Sequence, residues 1–386
     1  MSLTLENQLI HWRRELHQYP ELSDQEFATT ARIQRWLDAA GIKRLDYGLK
    51  TGVVAEIGAG EPLIALRADI DALPIEETTG QPFASQQPGV MHACGHDLHT
   101  SVMLGAAQLL KAREHSLPGR VRILFQPAEE IFTGAQQLID AGALDGVQAI
   151  FGMHNAPDYP LGTLKTRGGA FYANVDRFVI RVTGKGAHAA RPQEGVDAIV
   201  IASQIVGALQ TLPSRQVSSL ESLVVSVTRI SGGNTWNVLP GTVELEGTVR
   251  THNSALRETI PQRIRQLIEG ISAASGAQAV LEWQAGPPAL INTPHWATFC
   301  QQVARHSGYQ VEDATLQMGG EDFADYLRVI PGAFVSIGSA SEYGLHHPGF
   351  DPSEALLAPA ARYFDRLAGD ALAAIVEPAA ALADAE

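Results

Sequence analysis

The order in which strands and helices are written changes twice along this 386-residue chain, and that change constrains its fold more than any other feature. Gly52-Val-Val-Ala-Glu-Ile57, Pro62-Leu-Ile-Ala-Leu-Arg67, Arg120-Val-Arg-Ile-Leu-Phe125 and Ala149-Ile-Phe-Gly-Met-His154 are short apolar runs that read as strands. Helical patterns are set among them at Ser101 to Arg113 and Gln136 to Ala141, after two amphipathic helices from Glu6 to Ala40 broken at Tyr19-Pro20. Strands mixed with helices in this way predict an α/β domain with a mostly parallel central sheet flanked by helices. From Asp176 to about Pro288 the order becomes β-α-β-β-α-β, the split βαβ pattern of a ferredoxin-like α+β domain. The α/β pattern resumes at Thr293 and runs through Ala333-Phe-Val-Ser-Ile337. Residues 1–175 and 290–386 are therefore expected to form one domain, with 176–289 inserted into it.

Composition narrows the function classes. A net charge of −14 argues against a general nucleic-acid binder, which needs a basic footprint to release phosphate counterions. Cys94 and Cys300 are the only cysteines and lie far apart, so no disulfide framework is expected and a reducing compartment suits the chain. The first residues lack a basic start followed by an apolar run, and no apolar stretch is long enough to span a bilayer. A cytoplasmic location is the expectation.

The chemistry concentrates in Met91-His-Ala-Cys-Gly-His-Asp-Leu-His99. Thiol, imidazole and carboxylate are the side chains that hold transition metals, and His92, Cys94, His96, Asp97 and His99 supply all three types in one short run. Cys94 and His96 are expected in the loop before a helix. Further candidates sit at other strand ends, where open α/β sheets place their ligand crevice. Asp69 and Asp71 follow one strand, Glu129 and Glu130 another, His154 ends a third, and His346 and His347 lie in the loop Gly344-Leu-His-His-Pro-Gly-Phe-Asp351. If these loops converge, they hold enough soft and hard ligands for two divalent ions. Adjacent glutamates divide labour in a way one carboxylate cannot, one binding metal while the other moves a proton; the alternative is a solvated acidic pair. Asp69 and Asp71 have an alternative as turn or capping residues. His188, in the glycine-rich stretch Gly184 to Pro192, reads equally as part of a turn or of a site. No phosphate-binding glycine signature and no Gly-x-Ser-x-Gly elbow is present, so nucleotide and serine-hydrolase chemistry lose support.

Taken in order, His17-Gln-Tyr-Pro-Glu-Leu22, Arg67-Ala-Asp-Ile-Asp-Ala-Leu-Pro74, His92-Ala-Cys-Gly-His-Asp97, Gln126-Pro-Ala-Glu-Glu130, Gly152-Met-His154, Gly186-Ala-His-Ala-Ala190, Asn237-Val-Leu-Pro-Gly241, Gly320-Glu-Asp-Phe323 and Leu345-His-His-Pro348 resemble the M20 metallopeptidase family. The resemblance is to the branch of N-acyl amino acid amidohydrolases, which includes hippurate hydrolases, N-acetyldiaminopimelate deacetylases and plant auxin-conjugate hydrolases. It implies that Cys94, His96, Glu130, His154 and His346 bind two divalent metal ions, with Cys94 shared between them. His346 is chosen over His347 because it directly follows Leu345. Glu129 matches the general base and Asp71 a carboxylate that orients a ligand histidine. His188 matches the residue that crosses from a partner subunit to the reacting carbonyl oxygen, so the inserted domain is expected to form a homodimer. Asn237, Arg250 and Gly320 match substrate-binding positions, and a guanidinium fork suits a carboxylate. The thiolate favours zinc, while the oxygen and imidazole ligands leave manganese, cobalt and nickel open.

Two departures stand out: Gln193 where many relatives carry a further histidine, and Ile131-Phe132 where they often carry two glycines. The implied reaction is hydrolysis of an N-acyl amino acid to a carboxylate and a free amino acid. Its rivals are a dipeptidase or carboxypeptidase on the same scaffold and a non-catalytic metal-dependent binding protein.

Overall fold

The computed structural model describes residues 4–383. The chain divides into two compact units, whose described residues are 4–169, 291–315 and 322–383 in one and 170–290 and 316–321 in the other.

The larger unit is built on an eight-stranded sheet. Its order is Lys43–Leu45, Val53–Gly58, Arg120–Gln126, Leu63–Asp69, Ala149–Ala156, Gly332–Gly338, Thr163–Thr166 and Gln310–Asp313. The four central strands, from Arg120–Gln126 to Gly332–Gly338, run parallel. All seven residues of Leu63–Asp69 are buried, as expected of a strand covered on both faces. Parallel pairing brings the carboxyl ends of these four strands to one edge, and Asp69 stands in register with Gln126. The helix His96–Ala112 buries nearly all of its length and shares one apolar core with the helices Leu5–Gln18 and Leu357–Ala383.

That helix starts earlier than the sequence suggests. It opens at His96 because Gly95 adopts a left-handed conformation (φ 88°), so Cys94 lies in the loop but His96 belongs to the first helical turn. Gly95 has no tolerable substitute, since a Cβ there would collide with the side-chain amide of Asn155. His154 does not end its strand, which continues through Asn155 and Ala156.

The smaller unit carries an antiparallel sheet in the order Leu223–Gly232, Thr242–Thr251, Asn174–Thr183, Gln278–Ala285, with the helices Ala198–Leu209 and Ser254–Ala274 packed on it. Numbered along the chain its strands read 2-3-1-4, the ferredoxin-like arrangement. The unit also takes in residues 316–321, which the sequence pattern assigned to the larger domain. Ala173 N donates to Gly319 O at 3.1 Å and Arg250 Nη1 to Met318 O at 2.7 Å, and these bonds tie the segment to this body. Among the described residues no helix is long and apolar enough to cross a membrane.

Candidate metal centre

The carboxyl edge of the parallel strands gathers the ligand candidates. Cys94, His96 and His154 present ligand atoms that all lie within 4.8 Å of one another, and so do Cys94, Glu130 and His346. Cys94 belongs to both triads. Its Sγ lies 3.4 Å from His154 Nε2, and His346 Nε2 lies 3.5 Å from Glu130 Oε1. His346 reaches inward from a left-handed backbone (φ 63°) whose N–H is held by Ala93 O at 2.8 Å. His347 instead stacks on Tyr343 with ring centroids 4.3 Å apart.

The free atoms in this cluster are those a cation needs. His96 meets Asp71 Oδ1 through Nδ1 at 3.2 Å, and its Nε2 is buried with no hydrogen-bond partner. Glu130 Oε1 is likewise buried without a hydrogen-bond partner, 3.9 Å from His96 Nε2. His154 Nδ1 donates to Asn155 O at 2.7 Å, which leaves the Nε2 lone pair facing Cys94. Charge points the same way. Burial disfavours the His96 imidazolium, but the carboxylates of Asp69, Asp71 and Glu130 outweigh it and push its pKa up to about 10. Burial, followed by Glu130, Glu129 and Asp69, raises the Cys94 thiol well above its ordinary value. Burial and the neighbouring His99 lower His154 to about 3, so that ring is a neutral donor. Metal binding would displace the His96 and Cys94 protons, and the resulting thiolate, neutral imidazoles and carboxylate, arranged as two triads with a common sulfur, fit two divalent cations.

Glu129 is buried beside this set, with Oε2 3.9 Å from His96 Nε2. Asp71 is fixed from three sides: it accepts from Ser23 Oγ at 2.7 Å and from Glu130 N at 3.0 Å, and it faces His96.

Three members of the Met91 to His99 run, His99, Asp97 and His92, lie outside the two triads joined at Cys94. His99 Nε2 accepts from Asn155 N at 2.9 Å, so its proton sits on Nδ1 and points to Asp69 Oδ1 at 2.6 Å. No lone pair of that ring is left for a metal. Asp97 Oδ2 sits 2.9 Å from Arg13 Nε and 2.8 Å from His17 Nδ1, a buried charge cluster behind the first turn of the helix. Both ring nitrogens of His92 are buried without a hydrogen-bond partner, and burial lowers its pKa to about 4. Two residues that sequence reasoning did not single out for a role are Asn155, which ties Cys94 O (2.6 Å) to the His99 ring, and Arg67. Arg67 is wholly buried and binds Asp69 Oδ2 at 2.7 Å, Asp322 Oδ1 at 2.8 Å and Gln126 Oε1 at 2.7 Å.

The other four candidates lie in the smaller unit. His188 is exposed on the two-residue strand Ala187–His188, in register with Val238, and Ala189 N donates to Asn237 O at 3.0 Å. These bonds make His188 and Asn237 neighbours. Arg250 is held against the segment that carries Gly320 by its bond to Met318 O.

Comparison with known proteins gives the same direction. The profile of Peptidase family M20/M25/M40 matches residues 65–370. An N-acetyl-L-cysteine deacetylase of Bacillus subtilis (strain 168) is 50% identical over 364 residues, covering 94% of this chain and 87% of the relative. An N-acyl-L-amino acid amidohydrolase of Geobacillus stearothermophilus is 44% identical over 287 residues, 74% of this chain and 78% of the relative. The crystal structure of the Bacillus subtilis YXEP protein, described as a dinuclear metal binding peptidase from the M20 family, superposes with a TM-score of 0.86 at 46% identity, covering 95% of this chain and 98% of that one.

Proposed function

The chain belongs to Peptidase family M20/M25/M40, and from that premise we propose that it hydrolyses N-acyl amino acids to a carboxylate and a free amino acid. The observation that carries the proposal is the pair of ligand triads joined at Cys94, with a second glutamate, Glu129, buried next to the ligand Glu130. Cys94, His96 and His154 would hold one ion, and Cys94, Glu130 and His346 the other. Bound metal supplies Lewis acidity, lowering the pKa of water and polarising the amide carbonyl.

The protein's own groups do the rest. Glu129 takes the proton from the attacking water and returns it to the leaving nitrogen, so one carboxylate serves both halves of the reaction. Asp71 orients His96, and its bond to the Glu130 amide couples the imidazole ligand to the glutamate pair. His188 stabilises the developing oxyanion from the partner protomer of a homodimer, while Asn237, Arg250 and Gly320 receive the amino acid carboxylate. The thiolate ligand favours zinc, with manganese next and cobalt and nickel compatible. Its need to stay reduced suits the cytoplasm.

The test is Glu129→Gln, which keeps volume and removes the base. Hydrolysis of N-acetyl amino acids should fall by about 10² to 10⁴ while both metals stay bound. A metal-replete, fully active variant overturns the assignment. Dipeptides assayed beside N-acetyl and N-benzoyl amino acids decide against the peptidase alternative if they are turned over poorly.

A further inference from the structure

We propose that Glu26 is a positioning residue for this reaction, its buried carboxylate anchoring Ala128 and so setting the reach of Glu129. The inference rests on the reading of Glu129 as the base.

Glu26 is fully buried, an expensive place for a carboxylate without assigned partners. Burial pushes its pKa up, and the Asp71 carboxylate adds to that shift. It precedes the helix Phe27–Ala39, yet its side chain makes no capping bond there. Capping falls to Glu21, whose two oxygens accept from Ala28 N at 3.1 Å and Thr29 N at 2.7 Å. Glu26 turns away from its own helix instead, accepting from Ala128 N at 2.9 Å and from Thr51 Oγ1 at 2.9 Å.

Ala128 is the residue before the glutamate pair and holds an unusual backbone. Its φ of 54° is left-handed, a conformation an alanine keeps only where its surroundings enforce it. Its carbonyl accepts from Thr133 N and Gly134 N at 3.2 and 3.1 Å, closing the loop that contains Glu129, whose own carbonyl accepts from Phe132 N at 2.7 Å. Every polar atom of Ala128 is thus engaged, and the bond at its N–H leads to Glu26. On the far side of the pair, Glu130 N donates to Asp71 Oδ2, which also receives Ser23 Oγ. Residues 23–26 therefore brace the Glu129–Glu130 loop from both ends.

The test compares metal-loaded Glu26→Ala, Glu26→Gln and Glu26→Asp. Gln can accept from Ala128 N and donate to Thr51, so it should keep kcat near wild type. Ala removes the brace, and kcat per folded molecule should fall about 10- to 100-fold with KM within about twofold and both metals retained. A purely structural role lowers Tm and leaves that kcat unchanged. Asp, which keeps the charge but falls short of Ala128, should also lose kcat, and it decides the matter if the Ala variant does not fold. Wild-type kcat in the deciding variant, or a loss that only tracks lost metal, overturns the proposal. In the Glu129→Gln background Glu26→Ala should add nothing; a full additional loss also overturns it. An active Glu129→Gln variant on its own overturns the assignment of the base, whatever Glu26 does.

Discussion

Nδ1 of His96 sits 3.2 Å from Oδ1 of Asp71, while the other ring nitrogen, Nε2, is buried without a hydrogen-bond partner. A carboxylate on one side of an imidazole and an unpartnered lone pair on the other is the arrangement by which an outer carboxylate fixes a ligand's tautomer and raises its basicity. Asp71→Ala removes that partner and also frees Glu130 N. Metal affinity should drop about 10- to 100-fold, read by titration of the chelated protein with the fold monitored by circular dichroism. An unchanged affinity would remove Asp71 from the centre.

The shared sulfur gives a sharper expectation, because the two triads make different demands on stoichiometry. His154→Ala and His346→Ala each disturb one triad, whereas Cys94→Ser weakens both. Elemental analysis should find one tightly held ion per chain in each histidine variant and neither in the serine variant. His347→Ala should retain both, since that ring is stacked on Tyr343 and turned to Gly349. One ion kept by Cys94→Ser as tightly as in the parent would mean that the sulfur does not bridge.

Much of this was legible in the sequence, for a physical reason. Thiol, imidazole and carboxylate are the metal-binding side chains, and Glu130 and His154 lie at or just past the carboxyl ends of strands that parallel pairing carries to one edge, while Cys94 and His96 stand where the helix His96–Ala112 begins and His346 in the loop after Gly332–Gly338. What stayed hidden was decided by distant partners. Whether His99 binds metal depends on Asn155, 56 residues away, and Asp97 is taken by His17, 80 residues away. Glu26 reaches Ala128 across 102 positions. No local pattern encodes such pairs. The short strands Lys43–Leu45, Thr163–Thr166 and Gln310–Asp313 also escaped, each being only three or four residues long, too few to show a period of two. The start of the helix at His96 was masked by ligand residues that carry no helical signal of their own, with Gly95 as the one cue.

The protonation of the centre predicts how the metal-free protein responds to pH. Folding raises the pKa of His96 from 6.5 to about 10, so the folded state holds a proton that the unfolded chain has lost. Stability from this group is complete below about 6.5 and disappears as pH climbs through about 10. Cys94, raised above 9.0, acts in the same direction at still higher pH. The chelated protein should therefore lose Tm steadily from pH 7 to 10, and metal binding should release protons and tighten over the same range. Calorimetry in buffers of different ionisation enthalpy reads the proton count. A Tm independent of pH in this window, with no proton release, would contradict the arrangement.

Behind the metal centre, Asp97 carries a separate burden. Its Oδ2 faces both Arg13 and His17, and all three side chains are almost completely buried. Asp97→Asn leaves the shape and removes the charge, and the two cations respond differently. His17 can shed its proton, whereas a guanidinium stays charged at any accessible pH. The cost thus falls on Arg13, partly offset by Glu354 Oε1 at 3.3 Å. Breaking a buried pair from one side costs about 3 to 5 kcal/mol, and that offset places the expected loss at the lower end. Urea unfolding should be compared on metal-free parent and variant, since Asp97 adjoins His96 and lost metal would otherwise be counted as lost stability. A difference well under 1 kcal/mol would show that Glu354 alone satisfies Arg13 and that Asp97 is not what keeps the guanidinium buried.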